Sequence, residues 1–348
     1  MARGAGKVRA ARLTDLAALG ELSRLAQNDG ESTRSLGLPV SAHPIGMFSL
    51  FRLPLGAFRP HDVLYVFERD GHIAGLLRVE RETPRDEWTV VELDAVGGHD
   101  AGDVRFRLVQ HLLRDGSKRG AARFHVACAD ADDNIELFMQ AGFMRYGEER
   151  LLFRDIAVPL PRPWTDEAAT ACGIRPTVSQ DAVALSRLYS RVTPVPVQRL
   201  EGIRMPDWER QGREWRVPRS SLAPILRFAD VEAFVQAAPD GGKDGTELQA
   251  FVQVGVAEED QPHYLKVMAL PGIDLASIVT FGLGVIAART ERKSDRRLGV
   301  ITPVRTYESP IDNELEANGF EDLANVTLLM KETLVRVAEP ALVPAGVR

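Results

Sequence analysis

The sequence of 348 residues is poor in cysteine and has no long hydrophobic run. Its two cysteines, Cys128 and Cys172, have no metal-ligating neighbours, so we expect neither a disulfide framework nor a zinc site. The longest apolar stretch, 276–288, is interrupted by Ser277, Thr280 and two glycines and is too short to span a bilayer. We therefore predict a buried helix there, in a protein of the reducing cytoplasm.

An excess of positive charge is also absent. The formal net charge is −6, which gives no general attraction to nucleic acid or to an anionic membrane, so we expect neither as a partner. The seven histidines show no metal-binding spacing, and we predict no metal. The sequence contains no Gly-x-Ser-x-Gly or Gly-Lys-Ser/Thr motif, so hydrolase and nucleotide-triphosphatase functions lack support. The first residues carry charge but no apolar run, which is unlike a signal peptide.

Two landmarks occur twice, in the same order along the chain. The pattern of 8–15, Val-Arg-Ala with an aspartate five residues later, returns at 174–181 as Ile-Arg-Pro with its aspartate. The string Glu-Leu-Phe-Met-Gln-Ala-Gly-Phe at 136–143 is echoed by Asn-Glu-Leu-Glu-Ala-Asn-Gly-Phe at 313–320. Repeats of this kind indicate duplication of a structural unit.

The length and the repeat together predict two domains. Prolines at 159, 161 and 163 and the small, polar residues after them disfavour helix and strand, so we place a linker at 159–173. The predicted units are an N-terminal domain at 1–158 and a C-terminal domain at 174–337, with a tail at 338–348.

Each unit has the same predicted order of elements, in which an antiparallel meander is followed by strands that alternate with helices. For the first unit we predict a helix at 13–27, strands at 62–68, 73–82 and 88–96, a helix at 103–119, a strand at 123–127, a helix at 134–141 and a strand at 145–153. For the second we predict strands at 225–237, 248–256 and 264–270, a helix at 274–289, a strand at 298–302, a helix at 311–318 and a strand at 325–331. The fold class is α/β, an α+β arrangement on a mixed sheet.

Three segments carry a likeness to a known family. They are the Val-Arg-Ala or Ile-Arg-Pro first strand with its aspartate, the strand 91–96, and the Gly142-Phe143 pair after a short helix and before Gly147-Glu148-Glu149. In these features the chain resembles a tandem duplication of the GNAT superfamily of N-acetyltransferases. The resemblance implies transfer of an acyl group from acetyl-CoA or another acyl-CoA, as substrate, to a small amine or a protein amine.

The resemblance also implies an acyl-CoA site, formed here by Ala95, Val96, Gly97, Gly98, Gly102, Asp103 and Val104. In the family a glycine-rich loop with a basic residue cradles the pyrophosphate at a helix start. This sequence has Asp100 and Asp103 where a basic residue is expected, and two carboxylates would repel the phosphates. The alternative is a solvated turn in which Asp103 caps the helix. The second unit has 270–275 at this place and no cradle.

The catalytic groups are incomplete by the same comparison. The tyrosine that commonly protonates the leaving thiolate is replaced by Phe138 and Leu315, which donate no proton. Glu92 is the candidate base, or alternatively a solvent-facing strand residue. Lys266, in a comparable stretch of the second unit, is no equivalent base at neutral pH. We therefore predict that any catalysis belongs to the first unit.

The segment 206–218 lies outside the family pattern. It is bounded by prolines and places Trp208 and Trp215 seven residues apart, which predicts one face of a helix. The face is either buried, which we favour, or it forms a ligand wall or a nucleic-acid contact. The apolar stretch 36–60 is predicted to be a cover or an inter-domain contact.

Two functions remain open from the sequence. One is a GNAT-like acyltransferase with its site in the first unit. The other is a non-catalytic tandem protein that binds or scaffolds, a pseudoenzyme with eroded sites. The sequence also leaves the oligomeric state open, with a homo-oligomer as one alternative.

Overall fold

A computed structural model describes the chain in thirteen stretches, which are 6–15, 17–22, 36, 62–82, 85–96, 100–129, 133–210, 215–222, 226, 228–238, 247–257, 261–290 and 299–333. These residues form a mixed α/β fold around one twelve-stranded sheet. The fold class predicted from the sequence is therefore confirmed. None of the described helices is both long enough and apolar enough to cross a membrane.

In the first half the elements are β1 (Lys7–Ala10), β2 (Asp62–Arg69), β3 (His72–Glu82), β4 (Glu87–Ala95), α1 (Ala101–Lys118), β5 (Arg123–Ala129), α2 (Asn134–Gln140) and β6 (Met144–Arg154). Then follow α3 (Asp166–Ala171), β7 (Ile174–Pro176), α4 (Ala182–Val192), α5 (Val195–Glu201), α6 (Met205–Glu209), β8 (Phe228–Ala237), β9 (Leu248–Ala257), β10 (His263–Ala269), α7 (Leu275–Thr290), β11 (Val300–Arg305), α8 (Ser309–Ala317) and β12 (Phe320–Glu332).

The first landmark folds in the same way in both copies. Arg9 donates two hydrogen bonds to the Asp15 carboxylate, at 2.6 and 2.9 Å, and Arg175 donates two to Asp181, both at 2.7 Å. Each aspartate also accepts a backbone N–H three residues earlier, from Arg12 and Val178. The repeated pattern thus encodes an ion pair that fixes the turn after the first strand.

The second landmark ends a helix in both halves. Gly142 and Gly319 have φ values of +88° and +82°, a left-handed conformation that glycine adopts without strain. After the first of them, the N–H of Phe143 bonds to the carbonyl of Phe138, which closes the helix end.

Two local predictions need correction, and a third is covered only in part by the described residues. The segment predicted as linker contains α3, because Thr165 caps its first turn by accepting the Ala168 N–H and two acidic residues follow. The proline-bounded helix covers only α6, and Arg210 is already extended; both tryptophans are nevertheless buried in one cluster. The N-terminal helix begins as a 3₁₀ turn at 13–15 and continues at 17–22, and its predicted remainder lies outside the described residues, as does 37–60.

The two halves exchange their last strands. The strand order is β1-β2-β3-β4-β5-β12-β6-β11-β10-β9-β8-β7. β12, from the end of the second half, pairs along β5 of the first half, and β6 pairs with β11 of the second half. The domain limits at 158 and 174 stay a prediction about sequence units, whereas the sheet itself runs without interruption through both.

Helices cover the two faces of the sheet. In the second half α7 packs on the face formed by Val252 and Val254, while Phe251 points to the opposite face and packs against Trp215. In the first half α1 lies over β3 and β4. The core beneath α1 also includes Val326 and Leu329 of β12, as the strand exchange requires.

Candidate functional site

The parallel strands β4 and β5 separate part-way along their length. Their pairing runs from Glu87 opposite Arg123 to Val90 opposite Val126 and ends there, although β4 continues to Ala95. At the same point the register of β4 against β3 shifts around Val91, a β-bulge. We call the resulting gap between the two strands the first splay.

Helix α1 begins beside the first splay, two residues earlier than predicted. Asp100 is its N-cap residue, and its side chain makes no capping hydrogen bond to the first turn. Asp103 lies within the first turn and pairs with Arg107 at 2.8 Å. The alternative in which Asp103 caps the helix is therefore wrong.

Both carboxylates at this helix start are neutralised by arginines. Arg69, at the end of β2, lies 3.2 Å from Asp100, and Arg107 pairs with Asp103. Both guanidinium groups lie within 6 Å of the Phe67 ring, at 5.4 and 5.9 Å. Sequence reasoning missed these pairs: the four-residue spacing of Asp103 and Arg107 is a recognisable signal, whereas the Arg69 contact depends on the fold.

The residues predicted to bind acyl-CoA have different environments. The side chains of Ala95 and Val104 are fully buried, and Val104 packs against Gly75. Val96 donates its backbone N–H to the carbonyl of Ala74. The side chains of Ala95 and Val104 are therefore not available to a ligand, whereas that of Val96 is only partly buried.

The remaining predicted residues lie at the entrance to α1. A side chain at Gly102 would meet no atom within 4 Å, so the backbone here is open to an approaching group. Gly97 and Gly98 lie outside the described residues. Whether the glycines act as a phosphate cradle stays a prediction.

Asn134 is a second polar group at the first splay. It begins α2, the helix that follows β5, and its Oδ1 accepts a hydrogen bond of 2.6 Å from Arg105, the fifth residue of α1. Its Nδ2 is buried and has no hydrogen-bond partner among the described residues. An unpartnered amide donor between the starts of two helices is a feature that a ligand with oxygen acceptors would satisfy.

Glu92, the predicted base, is buried rather than solvent-facing, with 5% of its surface exposed. It follows the bulge in β4 and pairs at 3.2 Å with Arg78, its neighbour on β3. Its carboxylate therefore lies beside the splay but already has a cationic partner. The role of Glu92 as a base stays a prediction.

The positions expected to hold an acid belong to the hydrophobic core. Phe138 and Leu315 are both fully buried, and Phe138 packs edge-on against Phe143. Neither side chain donates a proton.

The corresponding gap in the second half, which we call the second splay, is closed by side chains. β10 and β11 pair only at His263 with Val300 and at Tyr264 with Ile301. Beyond this point Lys266, which is 1% exposed, donates to Glu308 at 2.7 Å and to the carbonyl of Pro303 at 3.2 Å. The buried ammonium thus bridges the two strands.

The helix that follows β10 is also closed to anions. Asp274 accepts the Ser277 N–H at 3.2 Å and the Ser277 hydroxyl at 2.6 Å, which caps the start of α7. The hydrogen bonds from Ser277 lower the pKa of Asp274, so a negative charge stays at this helix start. A phosphate would meet a carboxylate here.

Comparison with solved structures identifies the architecture. A tandem GNAT protein from the clavulanic acid biosynthesis pathway, determined without acetyl-CoA, superposes with a TM-score of 0.56 over 94% of this chain and 98% of its own, at 14% identity. The chain has a tandem GNAT fold. A GCN5-related N-acetyltransferase from Sphaerobacter thermophilus gives 0.53 over 94% of this chain and 95% of its own, also at 14% identity. At the level of sequence, no protein family and no curated protein matches the chain.

Within this tandem GNAT fold, a small pocket opens on the face of the first splay opposite α1. Its lining includes a histidine, a tyrosine and two serines, and sequence reasoning missed it because both halves contribute to it. Its lining consists of Thr89, Val90, His125, Val126, Ala127 and Tyr146 of the first half and Arg219, Ser220, Ser221 and Leu328 of the second. We call it the composite pocket.

Buried ion pairs hold the second-half wall of this pocket in place. Arg219 donates to both oxygens of Glu82, at 2.9 and 3.0 Å, and to Glu87. Arg305 of β11 donates to Glu201 at 2.6 Å and lies 2.8 Å from Glu149. Because each charged group has a partner, burial of the network is tolerated, and loss of one partner would be costly.

Burial shifts the protonation of three groups around the pocket. Burial and the charge of Arg219 lower the pKa of His125 to about 4, so its imidazole is neutral at physiological pH. Burial alone would raise the pKa of Glu87, but the contact with His125 and the charge of Arg219 lower it to about 2. Burial raises the pKa of Tyr146 to about 12, which keeps its hydroxyl protonated.

Proposed function

We propose that the first half binds an acyl-CoA in the first splay and transfers the acyl group to an amine, and that the second half is a non-catalytic copy. The contrast between the two splays carries the proposal. The first keeps the bulge in β4 and an uncapped helix start, whereas Lys266 and Asp274 close the second.

The residues around the first splay fit the chemistry of the substrate. The N–H groups of the first turn of α1 suit the pyrophosphate, with Arg69 and Arg107 close by. The Asn134 amide, without a partner on Nδ2, suits a carbonyl oxygen of the pantetheine arm. The unpaired edge of β4 beyond Val90 suits the amide groups of the same arm.

For this reaction the protein has to orient the amine towards the thioester and remove a proton from the amine. The amine nitrogen attacks the thioester carbon, so that a C–N bond forms and the C–S bond breaks, and sulfur keeps the electron pair. Glu92 takes the proton from the amine, directly or through water, once the ion pair between Glu92 and Arg78 has opened. The thiolate gains its proton from solvent, since Phe138 supplies none.

The alternative is a non-catalytic tandem GNAT protein that binds or scaffolds a partner. It is favoured by the Glu92–Arg78 pair, which occupies the predicted base, and by the two core positions without an acid. On this alternative the protein binds acyl-CoA without turnover, or does not bind it at all.

The test is calorimetric titration with acetyl-CoA of two matched variants, Gly102→Glu and Ala276→Glu. Each places a carboxylate at the second residue of its helix, α1 or α7, where a negative charge stabilises the helix. We expect one site per chain in the wild type, about tenfold or weaker binding in G102E from repulsion of the phosphates, and wild-type binding in A276E.

Both variants should unfold at or above the wild-type temperature, which excludes misfolding as the cause. Absence of wild-type binding at millimolar acetyl-CoA would refute the proposal. Equal loss in the two variants would refute the assignment to the first half.

A further inference from the structure

A segment of the second half, residues 215–222, lies across the first half. We call it the strap. It belongs to no helix or strand, and its two ends are anchored in different apolar clusters. Trp215 and Val217 pack in the cluster beneath α4, whereas Leu222 belongs to the core cluster of the first half. The strap is therefore tied down at both ends, by the two halves respectively.

Between these anchors the strap is held by ion pairs with β3 of the first half. Arg216 donates to both oxygens of Glu80, at 2.8 and 3.1 Å, and Arg219 donates to both oxygens of Glu82, at 2.9 and 3.0 Å. None of the twelve described strands pairs with the strap. A segment that is held by side chains and not by a backbone ladder opens locally at a lower free energy than a strand within a sheet.

The strap closes the composite pocket. Its residues 219–221 form one wall, and the cavity that remains has a volume of about 20 Å³, which is room for about one water molecule. His125 Nδ1 and the Ser221 hydroxyl are buried there without a hydrogen-bond partner among the described residues. Closure thus leaves two polar groups unsatisfied, whereas an open strap exposes both to water, which lowers the cost of opening.

The strap also lies beside the predicted base. Arg78 and the two carboxylates that hold the strap alternate along β3 with Leu77 and Val79, which belong to the core beneath α1. They therefore lie on the opposite face of the sheet, where Arg78 pairs with Glu92. Because α1 covers the other face of β3 and β4, a molecule that approaches Glu92 from the side away from α1 meets the strap.

We propose that the strap is an autoinhibitory cover of the first half, which has to open locally between its two apolar anchors before the first splay can turn over its substrates. In the closed position it shields the composite pocket and the surroundings of Glu92, and in the open position it exposes both. The effect on turnover rests on the proposed function, whereas the opening itself does not. In this way the second half controls access to the first.

The experiment measures how fast iodoacetamide labels a reporter thiol beneath the strap of the full-length protein. Ser221→Cys places the thiol in the composite pocket, and Cys172→Ser removes the exposed native thiol. Cys128, which is fully buried in the core, remains as an internal reference for opening of the whole fold. We expect the reporter to react at least about tenfold faster than Cys128 and at least about tenfold slower than Cys172 does in the wild type.

Two further variants show which contacts hold the strap closed. Arg216→Met removes one of its ion pairs and should speed labelling of the reporter roughly fivefold. Arg289→Met is the matched control, because it removes a similar pair, with Glu232, that lies elsewhere in the second half and persists when the strap opens. It should leave the reporter rate within about twofold, even if it speeds labelling of Cys128.

Turnover provides the second readout. Without the reporter substitutions, Arg216→Met should raise thiol release from acetyl-CoA by about the same factor as it raises labelling, and Arg289→Met should not. Faster labelling without faster thiol release, in a protein that does turn over acetyl-CoA, would overturn the autoinhibitory role. Labelling as expected in a protein that releases no thiol would refute the proposed function and leave the strap in place.

The labelling rates also test the cover directly. A reporter that reacts as fast as Cys172 would show that the strap does not cover the pocket. A reporter that reacts only as fast as Cys128 would show that the strap opens only with the whole fold, and either result overturns the inference. If Ser221→Cys does not fold, Ala127→Cys, on the β5 wall of the same pocket, replaces it as the reporter.

Discussion

The two splays share one strand arrangement and differ at a few side chains. In the first, the strands part at a bulge and the gap is bordered by the Asn134 amide; in the second, Lys266 reaches across the gap to Glu308. The helix starts differ in the same sense. The Asp100 side chain makes no capping hydrogen bond to α1, whereas Asp274 caps α7.

This difference teaches that side chains which close such a gap also add hydrogen bonds to the fold. Lys266 fills a gap that a ligand would otherwise fill, and Asp274 satisfies N–H groups that would otherwise bind a phosphate. The second half also supplies β12 to the sheet of the first half and residues 219–221 to the lining of its pocket. Three predictions test this division of roles, in order of expected effect.

The largest effect should come from ending the chain at Gly319, which removes β12. This strand pairs with both β5 and β6 and buries Leu328 and Leu329, so its loss opens the middle of the sheet. We expect no cooperative unfolding transition by circular dichroism and aggregation through the freed edges of β5 and β6.

The control is the full-length protein with a protease recognition sequence inserted between Arg162 and Pro163, cleaved after folding. The two fragments should elute together in gel filtration. β12 of the second fragment pairs with β5 of the first, and β6 of the first pairs with β11 of the second. A folded, monomeric fragment 1–162 would contradict this account of the exchange.

The second prediction compares Lys266→Met with Glu92→Gln. Removing Lys266 leaves Glu308 without its buried cation and should lower the free energy of unfolding by roughly 3–5 kcal/mol, without changing acyl transfer. Glu92→Gln should change stability little, because Arg78 is partly exposed, and lower turnover about a hundredfold. Urea unfolding and thiol release from acetyl-CoA measure the two effects; the division of roles fails if K266M reduces turnover as much as E92Q does.

The third prediction, which has the smallest expected effect, concerns the stability of the fold at low pH. The pKa of His125 is about 4 in the folded chain and about 6.5 when unfolded, so only the unfolded state takes up this proton between these values. Stability should therefore fall as the pH drops, by about 2 kcal/mol between pH 7 and pH 5.

His125→Phe should flatten this dependence, and substitution of the exposed His72 should not. An unchanged pH profile of urea unfolding in H125F would show that other groups determine it.

Local patterns predicted most of the elements. The repeated Arg–Asp pair and the Gly-Phe helix ends are encoded within a few residues, and they mark the duplication correctly. The alternation of apolar residues located the strands of both meanders. The extent of α6 was mispredicted because the spacing of Trp208 and Trp215 suits a helix equally well as two separate segments that pack into one cluster.

The site was less accessible to sequence reasoning because its contacts join distant segments. Arg69 neutralises Asp100 from a different strand, and Arg219 reaches Glu82 from the other half of the chain. From the sequence alone, the two carboxylates at the start of α1 are expected to repel phosphate groups. In the fold, arginines pair with both of them. The strand exchange could not be predicted from the sequence either, because apolar and polar residues alternate along β6 and β12 in the same way whichever strands they pair with.

The strand exchange also sets an order of events during synthesis. β12 comprises residues 320–332, so the inner edge of β5 has no partner until nearly all of the chain has been made. At about 5–20 residues per second, the nearly 200 residues between β5 and β12 take on the order of ten seconds or more to appear. For that time the nascent first half carries an open strand edge, and the two copies finish folding together.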